Sequence, residues 1–129
     1  MKIYEFDKRV ITTINVPIKI TANMLNDIIV TAFEGGIGYW AVLDNTDEPD
    51  DKGLFTSSWM TSELLEGKIL KFIDVEDKDT VWSLTLNDLL NGVKLNANLR
   101  PHDCDLENMD STTADCIIQY ALFGEIVYG

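Results

Sequence analysis

Apolar and polar residues alternate near the start of the chain. Residues 10–20 carry an apolar or β-branched side chain at every second position, which predicts a strand with one buried face. Pro17 has no backbone N–H, so this strand suits a sheet edge or a bulge. Ile3, Tyr4 and Phe6 form a shorter run that is either a first strand or a frayed end. The first 20 residues therefore predict β structure.

The spacing of the apolar residues changes to three and four over residues 21–34. This period predicts one amphipathic helix, whose first turn is capped by the Thr21 hydroxyl. Gly35 and Gly36 are expected to end the helix in the left-handed conformation, which glycine adopts without a Cβ penalty. Residues 39–44 follow as a buried aromatic strand.

A short helix and two strands are predicted in the middle of the chain. Residues 54–60 are ambiguous: Ser57 or Ser58 can cap a short helix that reaches Leu65, and Gly67 can end it. Residues 68–75 and 80–84 then form a β-hairpin around an acidic turn.

Two more helices and a tail are predicted in the last third of the chain. Thr85 and Asp88 have the spacing of a partial capping box at the first helix start. Residues 113–123 are apolar nearly all round, so this helix is expected to be buried, and residues 126–128 form a strand-like tail. The order of elements predicts a single α+β domain over residues 1–129, with two to four helices packed on a small, mainly antiparallel sheet.

Charge is the unusual feature of the composition. The chain has 22 Asp and Glu against ten Lys and Arg, a net charge of −12, which opposes direct binding to nucleic acid or an anionic membrane. Many of the acidic residues cluster in three connecting segments, where binding residues concentrate. We predict these as partner-binding residues: Asp44, Asp47, Glu48, Asp50, Asp51, Asp74, Glu76, Asp77, Asp79, Asp103, Asp105, Glu107 and Asp110. If the segments meet, they form a surface as negative as DNA; the alternative is three separate solvated turns.

Metal-binding patterns are weak in this sequence. One His and two Cys, without a CxxC or HxxxH pattern, do not supply four zinc ligands. Asp103, Asp105 and Glu107 have the spacing that opens a calcium loop, but Asn108 and Ala114 occupy the positions of its Gly and its bidentate Glu. We therefore expect no metal and no cofactor.

Catalytic and phosphate-binding patterns are also weak. His102 and Cys104 lie close in sequence, but a catalytic pair needs neighbours in space. The glycine-rich run 35–38 leaves a helix, whereas phosphate loops place their glycines before a helix N-terminus. The sequence therefore predicts a protein that is not an enzyme.

Four aromatic residues offer an alternative binding site. Tyr39, Trp40, Trp59 and Trp82 can stack on the base of a small nucleotide if they are exposed, and they belong to the core if they are buried.

The expected location is the cytoplasm. The N-terminus lacks the apolar core of a signal peptide, and no apolar run reaches the ~18 residues of a membrane span. Cys104 and Cys116 are expected to be free thiols in a reducing compartment.

Two segments resemble a known family. The run TAFEGGIGYW at residues 31–40 and the ending ADCIIQYALFGEIVYG at residues 114–129 are similar to those of a family of small proteins encoded by phages and prophages of Gram-positive Firmicutes. The resemblance implies a mobile-element origin and a place in the host cytoplasm. It implies no reaction and assigns no functional residue, and residues 47–62 look variable.

This origin favours a particular hypothesis, because small acidic phage proteins outside the virion often block host defences. The hypothesis is a non-catalytic inhibitor of a host nucleic-acid-binding defence protein, such as an anti-CRISPR that mimics nucleic acid. Its partner is a host protein with a basic surface. The alternatives are a binder of a small signalling nucleotide, or a structural or regulatory phage protein that forms a homo-oligomer.

Overall fold

The computed structural model describes residues 4–44 and 56–129. Within these two ranges the chain forms four α-helices and a three-stranded antiparallel sheet, so the predicted α+β fold class is confirmed. The helices are α1 (Ala22–Thr31), α2 (Thr56–Leu65), α3 (Leu86–Leu99) and α4 (Ser111–Phe123). The strands are β1 (Ala41–Leu43), β2 (Leu70–Asp74) and β3 (Val81–Leu84). No helix in these ranges is long and apolar enough to cross a bilayer.

The sheet has the order β1-β2-β3, with β2 in the centre. The predicted hairpin is confirmed, and its register places Phe72 opposite Trp82. β1 pairs with the other edge of β2, with Ala41 opposite Asp74 and Leu43 opposite Phe72. The end of β1 therefore lies at the opposite end of the sheet from the β2–β3 turn.

Helix α4 is buried, as its composition predicts. Every residue from 113 to 120 is buried, because α4 contacts α3, α1 and β3. The other large core side chains include Ile28 and Ile29 of α1, Phe72 of β2, and Trp40, which directly precedes β1.

Short-range caps fix the starts of two helices, as the sequence predicts. The Thr21 hydroxyl accepts a hydrogen bond from the Met24 N–H at 3.2 Å. Thr85 and Asp88 form a complete capping box, in which each side chain accepts from the other residue's backbone N–H. Such caps satisfy backbone donors that have no partner inside the helix.

The expected left-handed ending at Gly35 and Gly36 is wrong. Among the described residues, positive φ angles occur at Gly67, Gly124 and Gly129, and α1 instead continues into a π-helical turn, Ala32–Gly36. The need for glycine at position 36 is steric, because an added Cβ would lie 3.0 Å from the Ser111 carbonyl oxygen.

The expected strand over residues 10–20 is also wrong. Residues 4–20 form no helix or strand, and Val10 and Ile14 are 80% and 78% exposed. Alternation shows that a segment suits a sheet, but a strand also needs a neighbouring strand to pair with.

Gly92 lets α3 and α4 approach closely. A Cβ added at this position would lie 2.5 Å from the Ile117 carbonyl oxygen and 2.9 Å from the Ala121 Cβ. These distances are shorter than real contacts, so α3 and α4 would have to separate to admit any side chain.

We expect Gly92→Ala to destabilise the protein, although alanine is the better helix former. The overpacking costs ~1–3 kcal/mol, which exceeds the gain in helix propensity of at most ~1 kcal/mol. Urea unfolding followed by tryptophan fluorescence measures the difference. Gly38→Ala is the control, since a Cβ there meets nothing within 4 Å; a Gly92→Ala variant as stable as the control would contradict the close approach.

Candidate binding cleft

A cleft of about 650 Å³ lies between the Ala32–Gly36 turn, α4 and the C-terminal tail. One wall is the face of α4 that carries Ser111, Asp115 and Gln119, and Tyr39 and Tyr128 complete the lining. At 1.5 Å per residue, this face of α4 is about 12 Å long. The cleft is therefore long enough for a few residues of an extended peptide.

Asp115 is the central polar residue of the cleft and is only 9% exposed. Its Oδ2 accepts a hydrogen bond from the Tyr39 hydroxyl at 2.6 Å. Its Oδ1 accepts from the Trp40 indole Nε1 at 2.8 Å and from the Gln119 Nε2 at 2.9 Å. None of the ion pairs within the described residues includes Asp115. These three donors therefore take the place of a cation in stabilising a buried carboxylate.

Gln119 attaches the C-terminal tail to α4. Its Oε1 accepts from the backbone N–H groups of Val127 and Tyr128, both at 2.8 Å, and its Nε2 donates to the Tyr128 carbonyl oxygen at 3.0 Å. The tail is not a strand, but a side-chain amide satisfies its backbone much as a neighbouring strand would.

The four aromatic residues do not form one stacking site. Trp40 is 2% exposed; its ring stacks on Tyr128 at 5.0 Å between centroids and contacts Trp82 edge-on at 5.6 Å. Trp59 lines a different, small pocket beside Lys71. Of these four residues, Tyr39 alone lines the cleft. Trp40 and Trp82 belong to the core instead.

Tyr39 and Cys116, which line the cleft, hold their protons more tightly than usual. Burial and the hydrogen bond to Asp115 raise the pKa of Tyr39 to about 12. Burial raises the pKa of the Cys116 thiol, and the charge of Asp115 adds to this effect. The Cys116 thiol is therefore a poor nucleophile, because the thiolate is the reactive form.

His102 is exposed within a short turn, Pro101–Asp103, and Cys104 directly follows this turn and is partly buried. The Cys104 Sγ donates to the Pro101 carbonyl oxygen at 3.2 Å, not to the imidazole. Cys104 and Cys116 are both unbridged.

The acidic β2–β3 turn is held by its own carboxylates. Asp74 Oδ1 accepts from the Glu76 N–H at 2.8 Å, while Asp77 accepts from the Asp79 N–H at 3.1 Å and the Thr80 hydroxyl at 2.6 Å. The hydrogen bond from Thr80, with that from Asp79, lowers the pKa of Asp77.

The acidic residues before α4 also have structural roles. Asp103 pairs with Arg100 at 2.6 Å, and Asp105 accepts hydrogen bonds from the Glu107 N–H and the Asn108 side chain. Asp110 caps α4 by accepting from the Thr113 N–H at 2.8 Å. Hydrogen bonds lower the pKa of Asp105, chiefly from Asn108, and of Asp110, chiefly from Thr113.

No three His, Cys, Asp or Glu side chains within residues 4–44 and 56–129 are arranged to hold a metal ion. Asp103 and Asp105 instead make the ion pair and the turn contacts just described.

Two of the three predicted acidic groups have a member next to a residue that lines the cleft. Asp74 accepts a long hydrogen bond of 3.4 Å from the Tyr128 hydroxyl; burial raises the pKa of Tyr128, and the charges of Asp74 and Glu76 raise it further. In the other group, Asp110 directly precedes the lining residue Ser111.

The first acidic group lies apart from this cleft as far as the structure describes it. The Asp44 N–H donates to the Lys71 carbonyl oxygen at 2.9 Å, at the end of the sheet opposite Asp74. The remaining members, Asp47, Glu48, Asp50 and Asp51, lie outside the described residues.

The sequence prediction missed Asp115 and Gln119. Their signal was present, because they are polar residues four positions apart in an otherwise apolar helix, a spacing that places both on one helix face.

No protein-family model, curated protein or solved structure matches the chain.

We expect Asp115→Ala to lower the free energy of unfolding by roughly 2–5 kcal/mol, because buried donors of Trp40 and Gln119 lose their acceptor at ~1–3 kcal/mol each. Asp115→Asn should cost less, since it keeps one oxygen and the Tyr39 hydroxyl can turn to accept. Urea unfolding measures both variants. Asp27→Ala, at an exposed position of α1, is the control and should change stability by less than ~0.5 kcal/mol; an Asp115→Ala variant as stable as this control would show that the network is dispensable.

Tyr39 should make stability depend on pH in the alkaline range. Its folded pKa of about 12 lies above the ordinary tyrosine pKa of 10.0. Its contribution to stability is therefore complete below the ordinary pKa and is lost as the pH rises towards the folded pKa. The difference in tyrosinate absorbance between the unsubstituted protein and Tyr39→Phe, followed against pH, should show one transition near the folded pKa of Tyr39. A difference transition centred at the unperturbed value would refute the bond to Asp115.

Proposed function

We propose that this protein is a non-catalytic binding protein whose acidic surface pairs with Lys and Arg side chains of a host nucleic-acid-binding protein. The observation that supports the proposal best is that acidic residues adjoin two residues that line the cleft. Asp74 and Glu76 lie near Tyr128, and Asp110 lies beside Ser111. A basic segment laid along the cleft would meet negative charge beside both of these lining residues.

The hydrogen bonds within the acidic turns prepare them for such a partner. Asp77 and Asp110 have lowered pKa values, so both stay charged at neutral pH. Their carboxylates are already fixed, so binding orders fewer side chains and costs less entropy. A carboxylate has about four acceptor sites, so these groups can also accept from a partner's guanidinium.

The net charge supports a basic partner. The net charge of −12 already counts all ten Lys and Arg, so the acidic side chains outnumber the basic ones by 12 however they are paired. The surplus charge repels phosphate and accelerates encounter with a positive surface.

The resemblance to phage and prophage proteins suggests which partner this is. A defence protein that binds nucleic acid carries the Lys and Arg that hold phosphate, and an RNA-guided nuclease holds its heteroduplex in a positively charged channel. Carboxylates that occupy those cations exclude the nucleic acid. The proposed role is therefore an anti-defence inhibitor in the host cytoplasm, such as an anti-CRISPR.

A small signalling nucleotide is a weaker candidate ligand for this cleft. Of the four aromatic residues predicted to stack on a base, Tyr39 alone lines the cleft. The acidic residues near the cleft would also repel a phosphate.

Glu76 and Asp79 allow a direct test. Both contribute backbone N–H groups to the turn while their side chains are exposed, so Glu76→Gln with Asp79→Asn preserves the turn. We expect this pair to weaken binding to a panel of RNA-guided nucleases by roughly 2- to 30-fold, at ~0.2–1 kcal/mol per exposed ion pair. It should also flatten the dependence of affinity on salt.

The matched control is Asp27→Asn with Glu66→Gln, which changes the net charge equally but lies away from the cleft on α1 and after α2. Competition with target DNA, measured by surface plasmon resonance, shows whether the protein excludes nucleic acid. Binding that is insensitive to salt, or equal losses in the two double variants, would contradict the proposed surface.

A further inference from the structure

We infer that residues 4–20, the N-terminal arm, bind a second copy of this chain and form a symmetric dimer by exchanging arms. The inference does not rest on the proposed function. It begins from an unusual exposure of large apolar side chains in this segment: Tyr4, Phe6, Val10, Ile11, Ile14, Val16 and Ile18 are all between 52% and 94% exposed. Such a row of exposed apolar groups marks an interaction surface.

The even-numbered face of the arm continues the surface of the core. Ile20 packs against the core, Ile18 is 52% exposed, and exposure rises to 71% at Val16 and 80% at Val10. The even-numbered side chains of the arm are thus covered near Ile20 and exposed towards Val10.

An unfilled groove of about 290 Å³ runs beside the covered end. Val16, Ile18 and Ile20 form one side, and Leu90, Val93 and Ala97 of α3 form the other. Lys94 and Asn98 of α3 also line the groove, so six of its eight lining residues are apolar. The arm itself supplies three of them, so an occupant of the groove contacts the arm.

Charge selects a second copy of this chain as the occupant. Residues 4–20 carry three basic and two acidic side chains, a net of +1, so the other 112 residues carry −13. The arm is the basic part of an acidic protein, and the body of another copy attracts it. An antiparallel arm would also pair the backbone groups of residues 10–16, which no strand of this chain pairs within the described residues.

The area available is sufficient for a stable dimer. Tyr4 and Phe6 can each bury roughly 150–250 Å², so two exchanged arms supply roughly 600–1,000 Å² from these rings alone. The aliphatic side chains and the groove walls add to this, which approaches the ~1,600 Å² of a standard interface. In the exchanged dimer, Phe6 of each copy lies in the α3 groove of the other, and the two arms run antiparallel.

The first test is the mass in solution, by light scattering over a range of concentrations. The expected mass is twice 14.5 kDa. Ile14→Asp, on the even face, should raise the dissociation constant at least ~100-fold, because it places a charge in an apolar contact. Ile11→Asp is the matched control on the odd face of the same arm, where it is 85% exposed, and should leave the dimer intact. A monomer at all concentrations, or a dimer that survives deletion of residues 1–15, overturns the inference.

The second test locates the arm. In a Cys104→Ser background, Phe6→Cys and Ala97→Cys are made separately, mixed and oxidised, and mass spectrometry should find a disulfide between the two different chains. The double variant should likewise link between copies. A disulfide that closes within one chain would show that the arm folds back on its own α3, and the exchange would be refuted.

Discussion

The buried carboxylate of Asp115 connects parts of the chain that are far apart in sequence. It receives hydrogen bonds from Tyr39 and Trp40, which precede β1, and from Gln119, one turn along α4. Gln119 in turn fixes the backbone of the tail. Because a buried charge is tolerated only while its donors are in place, the segment before β1, helix α4 and the tail must assemble together.

Two glycines, which have no side chain, let neighbouring elements pack closely against helix α4. Gly92 lets α3 approach its Ile117 carbonyl, and Gly36 lets the π turn approach its Ser111 carbonyl. The cleft lies where these constraints leave space, between the π turn, α4 and the tail. Its shape therefore follows from the same contacts that hold the core, and its walls are preorganised before any partner arrives.

Part of the acidic character of this protein is structural. Asp110 caps α4, where negative charge also favours the helix dipole, and Asp77 and Asp105 hold turns through backbone and side-chain hydrogen bonds. The same bonds fix the orientation of these carboxylates on the surface. The composition thus places Asp74 beside Tyr128 and Asp110 at the start of α4, and the proposed function assigns these charges to a basic partner.

The sequence by itself determined the features that depend on residues within a turn or a hairpin of one another. The Thr21 cap, the Thr85–Asp88 capping box, the β2–β3 hairpin and the buried character of α4 all follow from local spacing, and together they gave the α+β class. The tertiary structure alone decided that Asp115 and Gln119 form a network, that Gly36 and Gly92 are needed for close approach, and that Asp44 lies away from Asp74. It also left residues 10–20 outside the sheet that residues 4–44 and 56–129 form, despite their alternation. These outcomes depend on which distant segments meet, and the period of apolar residues along a chain specifies the face that is buried but not the surface that buries it.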